Sequence, residues 1–228
     1  GFTDIVVFEN DSFDLTDRSL RVLDRIGAIR YFPNSFRPGA VNPPFQNRAY
    51  RRAAQLDIHD AADWCMVLDS DEFLKISCGT GKVADLVAAV DPAFDAIRIN
   101  WRIFGSSGLR TLDNRLVTER FTQTTFAENV TRRPHPVKTI YRPRAFARPG
   151  IHQPRQPRLH PGQDELPMRC AVLLAPGFAV QVGFMQGARL CLVPGFGGGE
   201  IAQQLAGFGV AGLGCGAAVK GGCLAFHR

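Results

Sequence analysis

No uninterrupted apolar stretch of the sequence is long enough to cross a bilayer, and no basic, apolar and small-residue succession marks a secretory signal. Cysteine pairing is missing too: six cysteines occur, but there is no Cys-x-x-Cys and no Cys/His spacing of the zinc-binding kind. Cys65 falls in a presumed core strand, Cys78 lies just beyond it, and the other four are strung through the later part of the chain. These absences favour a reducing, cytoplasmic setting, at most peripheral to the inner face of a membrane. Acids are scarce between Arg98 and Arg158, where 13 Lys or Arg face three acids (Asp113, Glu119, Glu128), whereas charges before Arg98 nearly balance. The net charge of +6 therefore sits mainly in one segment, which suits an anionic phosphate ligand or a solvated basic face. Nucleic acid is not expected as a partner.

Charge of either sign is nearly absent from Gln163 to Arg228, where only seven of 66 residues are charged and glycine is abundant. Glycine at that density, with no sustained helical or alternating period, does not combine local preference with a global fold. The expectation is a domain over residues 1–160 and a Gly-rich apolar tail of doubtful fold over 161–228. A shifted reading frame near Pro161 accounts for the break; a membrane-associating tail is the competing explanation.

What is present reads as alternating strands and helices. Ile5 to Phe8 is a β-branched strand entered with no preceding cap, which predicts that the domain is incomplete at its N-terminus. Glu9-Asn10-Asp11-Ser12 carries polar groups off its end. Thr16-Asp17 opens a helix with Leu20, Leu23 and Ile26 as its apolar stripe, ending at Gly27, and Ala28 to Phe32 is the next strand. Gln46 to His59 has helical composition, Val83 to Val90 is a further helix, Ala96 to Trp101 alternates as a strand, and Lys138 to Arg142 is a short strand bringing Lys138 or Arg142 to the site. The Phe104–Gly108 turn is suited to presenting backbone amides to a ligand, or simply to connecting two elements.

The organising stretch is Trp64-Cys65-Met66-Val67-Leu68-Asp69-Ser70-Asp71-Glu72-Phe73. An apolar run that ends abruptly in carboxylates predicts a buried, parallel strand whose carboxyl end opens on a ligand site. Two carboxylates one residue apart on the following turn can share a hard divalent cation and leave positions free for diphosphate oxygens.

With these flanks the motif resembles that of the family 2-like glycosyltransferases of the GT-A fold, particularly a bacterial group whose signature is Leu-Asp-x-Asp-Glu-Phe. Other stretches agree in order: Glu9-Asn10-Asp11-Ser12 with Asp14-x-Thr16-Asp17, Trp101-Arg102-x-Phe104-Gly105-Ser106-Ser107-Gly108, Glu119-Arg120-Phe121, Lys138-Thr139 and His152-x-Pro154. The resemblance covers about residues 1 to 160 and implies an α/β, Rossmann-related open mixed sheet flanked by helices. It implies that Asp69 and Asp71, the DxD motif, hold manganese or magnesium against the diphosphate of a nucleotide-sugar, with His152 completing the metal shell. Glu9, Asn10, Asp11, Asp69 and Lys138 are implied to contact the nucleotide.

Breaking a sugar–phosphate bond builds positive charge at the anomeric carbon and leaves a diphosphate to be neutralised. Inverting transfer also needs a carboxylate base near the acceptor hydroxyl, for which Glu72 and Glu119 are candidates. Glu72 could equally orient the metal loop, and Glu119 could pair with an arginine. The acceptor expected is a glycan or a lipid-linked molecule, and membrane association is compatible but unsupported. The alternative is a truncated, catalytically inactive nucleotide-binding remnant. A haloacid-dehalogenase-like phosphatase also places Asp-x-Asp after an apolar strand, but here Glu72 follows the motif and the basic segment supplies no later acidic pair.

Overall fold

The computed structural model describes residues 1–35, 45–111, 115–124 and 137–158, with further strands at 170–172, 180–185 and 222–227. The first unit is β1 (Asp4–Glu9), α1 (Thr16–Arg25) and β2 (Arg30–Pro33), the two strands pairing in parallel. Val6 and Phe8 point to one core and Ile5 and Val7 to another, so β1 is buried on both faces, as its unbroken apolar run requires. Helix α1 lays Leu20 and Leu23 on Ile5 and Val7. It stops where Gly27 takes a φ of 73°, with Gly27 N–H donating to Asp24 O and Ala28 N–H to Leu23 O at 2.9 Å each. That pair of bonds closes the last turn and needs a residue comfortable in left-handed backbone. Ile26, expected on the inward stripe, is instead exposed, because it stands past the last helical turn on the outer shoulder.

Helices α2 (Phe45–Ala53) and α3 (Asp57–Ala61) carry the chain to β3 (Trp64–Asp69), followed at once by β4 (Glu72–Ile76). The single helix expected over Gln46 to His59 is thus two, with Gln55 N–H to Arg52 O and Leu56 N–H to Ala53 O tightening the end of the first. Next come α4 (Val83–Ala88), β5 (Ala96–Phe104), α5 (Val117–Arg120), β6 (Val137–Tyr141), a 3-10 turn (Pro143–Ala145), and the short hairpin β7 (Phe146–Arg148) and β8 (Arg155–Pro157). Beyond residue 160 are β9 (Cys170–Val172), β10 (Val180–Met185) and β11 (Gly222–His227).

These strands form a nine-stranded sheet in the order β2-β1-β11-β3-β6-β5-β10-β4, with β9 also paired to β5 and β7-β8 forming a separate ribbon. The described strands of the tail therefore lie in the main sheet. The expectation that β3 has parallel neighbours is corrected: it pairs antiparallel with β11 on one side and with β6 on the other. An apolar run is required wherever both faces are buried, and that demand does not fix the direction of neighbouring strands. Because β1 and β3 are both antiparallel to β11, they still point the same way, and the carboxyl ends of β1, β2 and β3 share one edge. Cys65 and Val67 pack with Tyr50, Ala53 and Ile58 of α2 and α3, whereas Trp64, Met66 and Leu68 pack with Val83 and Leu86 of α4. The architecture is a mixed α/β sheet with helices on both faces.

Candidate functional site

Asp69 is the last residue of β3 and is partly exposed at the shared edge. Its Oδ2 lies 3.1 Å from Lys138 Nζ and its Oδ1 accepts from Gln46 Nε2 at 3.2 Å. Lys138 enters from β6, which runs opposite to β3, so the start of β6 arrives where β3 ends. The same ammonium is 2.8 Å from Glu72 Oε2 and donates to Ile151 O at 2.8 Å. Glu72 Oε2 also accepts the backbone N–H of Asp69 at 2.8 Å, tying the β3–β4 turn to its own flank.

Lys138 and Glu72 are both fully buried. Burial pushes the Glu72 carboxyl up to about 7, opposed by the Lys138 charge and reinforced by Asp69. The Asp71 carboxyl is also raised, mainly by burial and further by Asp69, while a backbone hydrogen bond and Lys138 oppose the rise. Asp69 and Asp71 are thus like charges held near each other beside a buried ammonium.

A second polar row continues along the edge to β1 and β2. Asn34, just past β2, donates from Nδ2 to Asn10 Oδ1 at 2.6 Å and to Phe45 O at 3.1 Å, and its Oδ1 accepts Arg48 Nε at 2.7 Å. Its backbone N–H donates to Glu9 O at 2.7 Å. Glu9 is buried, and its carboxylate accepts the N–H of Ser12, which folds the Glu9–Ser12 loop back on the strand end. Asp11 follows with a φ of 50°, a left-handed conformation that Asp tolerates better than most residues. Phe45 and Gln46 both belong to the start of α2, so that turn links the Asn10–Asn34 row to the Asp69–Lys138–Glu72 cluster.

His152 lies near this cluster but at its rim. Its carbonyl accepts Thr139 Oγ1 at 2.8 Å, and its ring meets Trp101 edge-on, centroids 5.1 Å apart. Burial, then Lys138, lower its titration, while Asp69 and a hydrogen bond to the Val137 backbone oppose that. Glu119 is exposed on α5, whose Val117 packs with Phe73, and its Oε2 accepts Leu116 N–H at 3.1 Å, capping its own helix. Of the two basic residues offered for β6, Lys138 is at the site, whereas Arg142, at the strand's other end, stacks over Trp64 with 4.2 Å from guanidinium to ring centre. The Phe104–Gly108 turn is occupied internally, Gly105 N–H donating to Gln123 O and Ser107 Oγ accepting from Thr122 and Gln123.

Among the described residues no three His, Cys, Asp or Glu side chains gather around one cation position. What the edge offers is two adjacent carboxylates, Asp69 and Asp71, whose mutual repulsion a divalent ion would relieve. Such a pair suits magnesium or manganese, ions that keep several coordination positions for water and for a ligand's phosphate oxygens.

Sequence reasoning missed Asn34, Gln46, Arg48 and Tyr50. The Tyr50 hydroxyl is fully buried and has no hydrogen-bond partner among the described residues; burial, then the charges of Asp69 and Glu72, raise its ionisation far above the ordinary phenol range. The helical composition of Gln46 to His59 was readable, but nothing in it signals which polar side chains turn toward β3. No family model, curated protein or solved structure matches the chain.

Proposed function

We propose that this chain is a GT-A-like, Rossmann-related domain that binds a nucleotide-diphosphate sugar and transfers the sugar to a glycan or lipid-linked acceptor. The observation that carries this reading is the continuous polar edge from Asn10 and Asn34 through Gln46 to Asp69, Lys138 and Glu72, at the carboxyl ends of strands that run the same way. Open α/β sheets place ligands at this kind of edge. Asn10, Asp11 and the Glu9 turn meet the nucleoside, and Asp69 and Asp71 meet the diphosphate.

In the reaction the bond from the anomeric carbon to the diphosphate oxygen breaks and one from that carbon to the acceptor oxygen forms; the acceptor proton passes to a base. Manganese or magnesium on Asp69 and Asp71 would supply charge neutralisation for the leaving diphosphate. Lys138 adds a fixed positive charge within hydrogen-bond distance of Asp69. Both the Asp69 N–H and Lys138 hold Glu72 Oε2, which favours Glu72 as a positioning residue that sets the turn rather than the base. Glu119, capping α5, remains a candidate base only if an acceptor draws it from Leu116. No helix among the described residues is long and apolar enough to cross a membrane, which fits the proposed cytoplasmic, at most peripheral, location.

Calorimetric titration of UDP and GDP, with and without manganese, tests this reading. One of the two nucleotides is expected to bind only with metal, and Asp71→Ala to weaken that binding at least tenfold. Binding indifferent to metal and to the substitution overturns the assignment of the carboxylate pair. Metal-dependent binding without sugar turnover turns the reading to an inactive nucleotide-binding remnant.

A further inference from the structure

Within the basic segment, residues 142–158 hold five arginines and no Asp or Glu. Arg148 and Arg155 are directly opposite partners in the β7-β8 ribbon, so their side chains leave it on the same face. Like charges placed opposite each other repel, and neither arginine has an ion-pair partner among the described residues. The other three arginines are placed differently. Arg142 stacks over Trp64 and donates to Phe94 O at 3.3 Å, and Arg144 and Arg158 are exposed at the open end of the ribbon.

The closed end of the ribbon is fastened to the polar edge. Ile151 O accepts from Lys138 Nζ and His152 O from Thr139 Oγ1, each at 2.8 Å. Arg155 lies across Gly150, the residue before Ile151: a Cβ there would come within 3.2 Å of Arg155 Cγ and 3.3 Å of its Nε, and within 2.2 Å of Gln153 O. Glycine thus lets the guanidinium stem rest on the turn that Lys138 grips. Arg155 is also close enough to His152 for its charge to disfavour protonation of that ring, as Lys138 does. Of the acids at the site, Asp69 and Glu72 hold Lys138, at 3.1 and 2.8 Å. The arginine pair therefore brings positive charge to the rim of the site that no described carboxylate pairs with. A guanidinium binds phosphate oxygens in bidentate fashion, and a phosphate between two of them replaces their repulsion with two attractions.

We propose that Arg148 and Arg155 form an anion subsite at the rim of the Asp69–Lys138–Glu72 cluster, and that it takes a phosphate group borne by the acceptor. The acceptor assignment rests on the transferase reading: there the ion on Asp69 and Asp71 meets the diphosphate of the donor, and a separate arginine pair is left for the second substrate. The acceptor is then a phosphate ester, not a neutral glycan.

Calorimetric titration of the full chain with inorganic pyrophosphate in metal-free buffer tests the subsite. Arg148→Gln/Arg155→Gln is expected to weaken binding at least about tenfold, the worth of one charge-assisted hydrogen bond. Arg144→Gln/Arg158→Gln removes the same charge and should leave it unchanged. Because Arg148 and Arg155 repel each other, their replacement should leave the urea midpoint equal or higher, so a loss of binding is not a loss of fold. Equal weakening by the two double variants assigns the charge to a diffuse basic field and overturns the proposal, as does no binding of pyrophosphate at all. Farnesyl phosphate and glycerol phosphate then separate a lipid-borne phosphate from a soluble one: at least one should bind with the same dependence on the pair, and neither doing so overturns the acceptor assignment. Manganese-dependent binding of UDP or GDP should survive Arg148→Gln/Arg155→Gln. Its loss there gives the pair to the donor and also overturns the acceptor assignment. No nucleotide binding by the native chain refutes the transferase reading and the acceptor role with it, while the pyrophosphate titration still decides the subsite.

Discussion

Replacing Lys138 by methionine removes the buried ammonium while keeping most of the side chain's volume, and leaves Glu72 buried without its 2.8 Å partner. A stranded buried carboxylate escapes by taking up a proton. With Lys138 present, the Glu72 carboxyl already sits at about 7 against an ordinary 4.5. Without Lys138 it moves higher, so at neutral pH the variant folds with Glu72 protonated. Holding a proton at pH 7 on a group that releases it near 4.5 when unfolded costs about 3 kcal/mol, but the native chain, with Glu72 at about 7, already bears most of that, so the loss Glu72 adds in the variant is under about 1 kcal/mol at pH 7 and grows as pH rises.

The sign follows from proton binding. A folded-state value above the unfolded one means that the folded chain binds more protons between the two, so stability falls as pH rises through that window. For the native chain the contribution of Glu72 declines from pH 4.5 to about 7 and is level above it. For Lys138→Met the decline continues above pH 7, at about 1.4 kcal/mol per pH unit. Urea unfolding of both proteins between pH 5 and 9 measures this directly, and Glu72→Gln in the Lys138→Met background should flatten the extra slope. A destabilisation by Lys138→Met that is equal at every pH, or that Glu72→Gln leaves untouched, would refute the idea that these two groups are coupled in the interior.

Two further outcomes follow from the same cluster. The His152 ring should titrate below 6.5 when followed by NMR, because burial and Lys138 disfavour its charged form, and should move upward in Lys138→Met; an unchanged value would separate His152 from the cluster. Tyr50→Phe removes a buried hydroxyl with no described partner and should leave stability equal or raise it by about 1 kcal/mol, whereas a loss of that size in urea unfolding would reveal a partner for the hydroxyl.

The stretch that organises the site was legible because its pattern is local. Five apolar residues followed by Asp69, Ser70 and Asp71 specify a buried strand and a polar exit, and β3 ends at Asp69. The β1-α1-β2 unit was readable for the same reason, with Gly27 marking the end of α1. The neighbours of β3 were not readable, since burial on both faces leaves strand direction open and β11 pairs with β3 across more than 150 residues of chain. The division of α2 from α3 had no Gly or Pro to announce it. Tertiary packing of Ile58 against the core accompanies the second start. Asn34, Gln46 and Arg48 escaped notice because a side-chain amide or guanidinium that meets a partner 10 to 25 residues away leaves no periodic trace. Lys138 could be proposed from its place in a basic segment, but its burial between Asp69 and Glu72 is a product of the antiparallel approach of β6.

The central claim is that a divalent ion and a nucleoside diphosphate meet at the polar edge where β1, β2 and β3 end. Manganese is paramagnetic, so amide resonances close to it broaden. Titrating manganese with UDP or GDP into isotopically labelled chain should selectively erase the amide signals of residues 69 to 72 and of Lys138, weaken those of residues 10 to 12, and spare residues 22 to 26 at the end of α1. Broadening spread evenly over the chain, or concentrated away from Asp69 and Asp71, would contradict it.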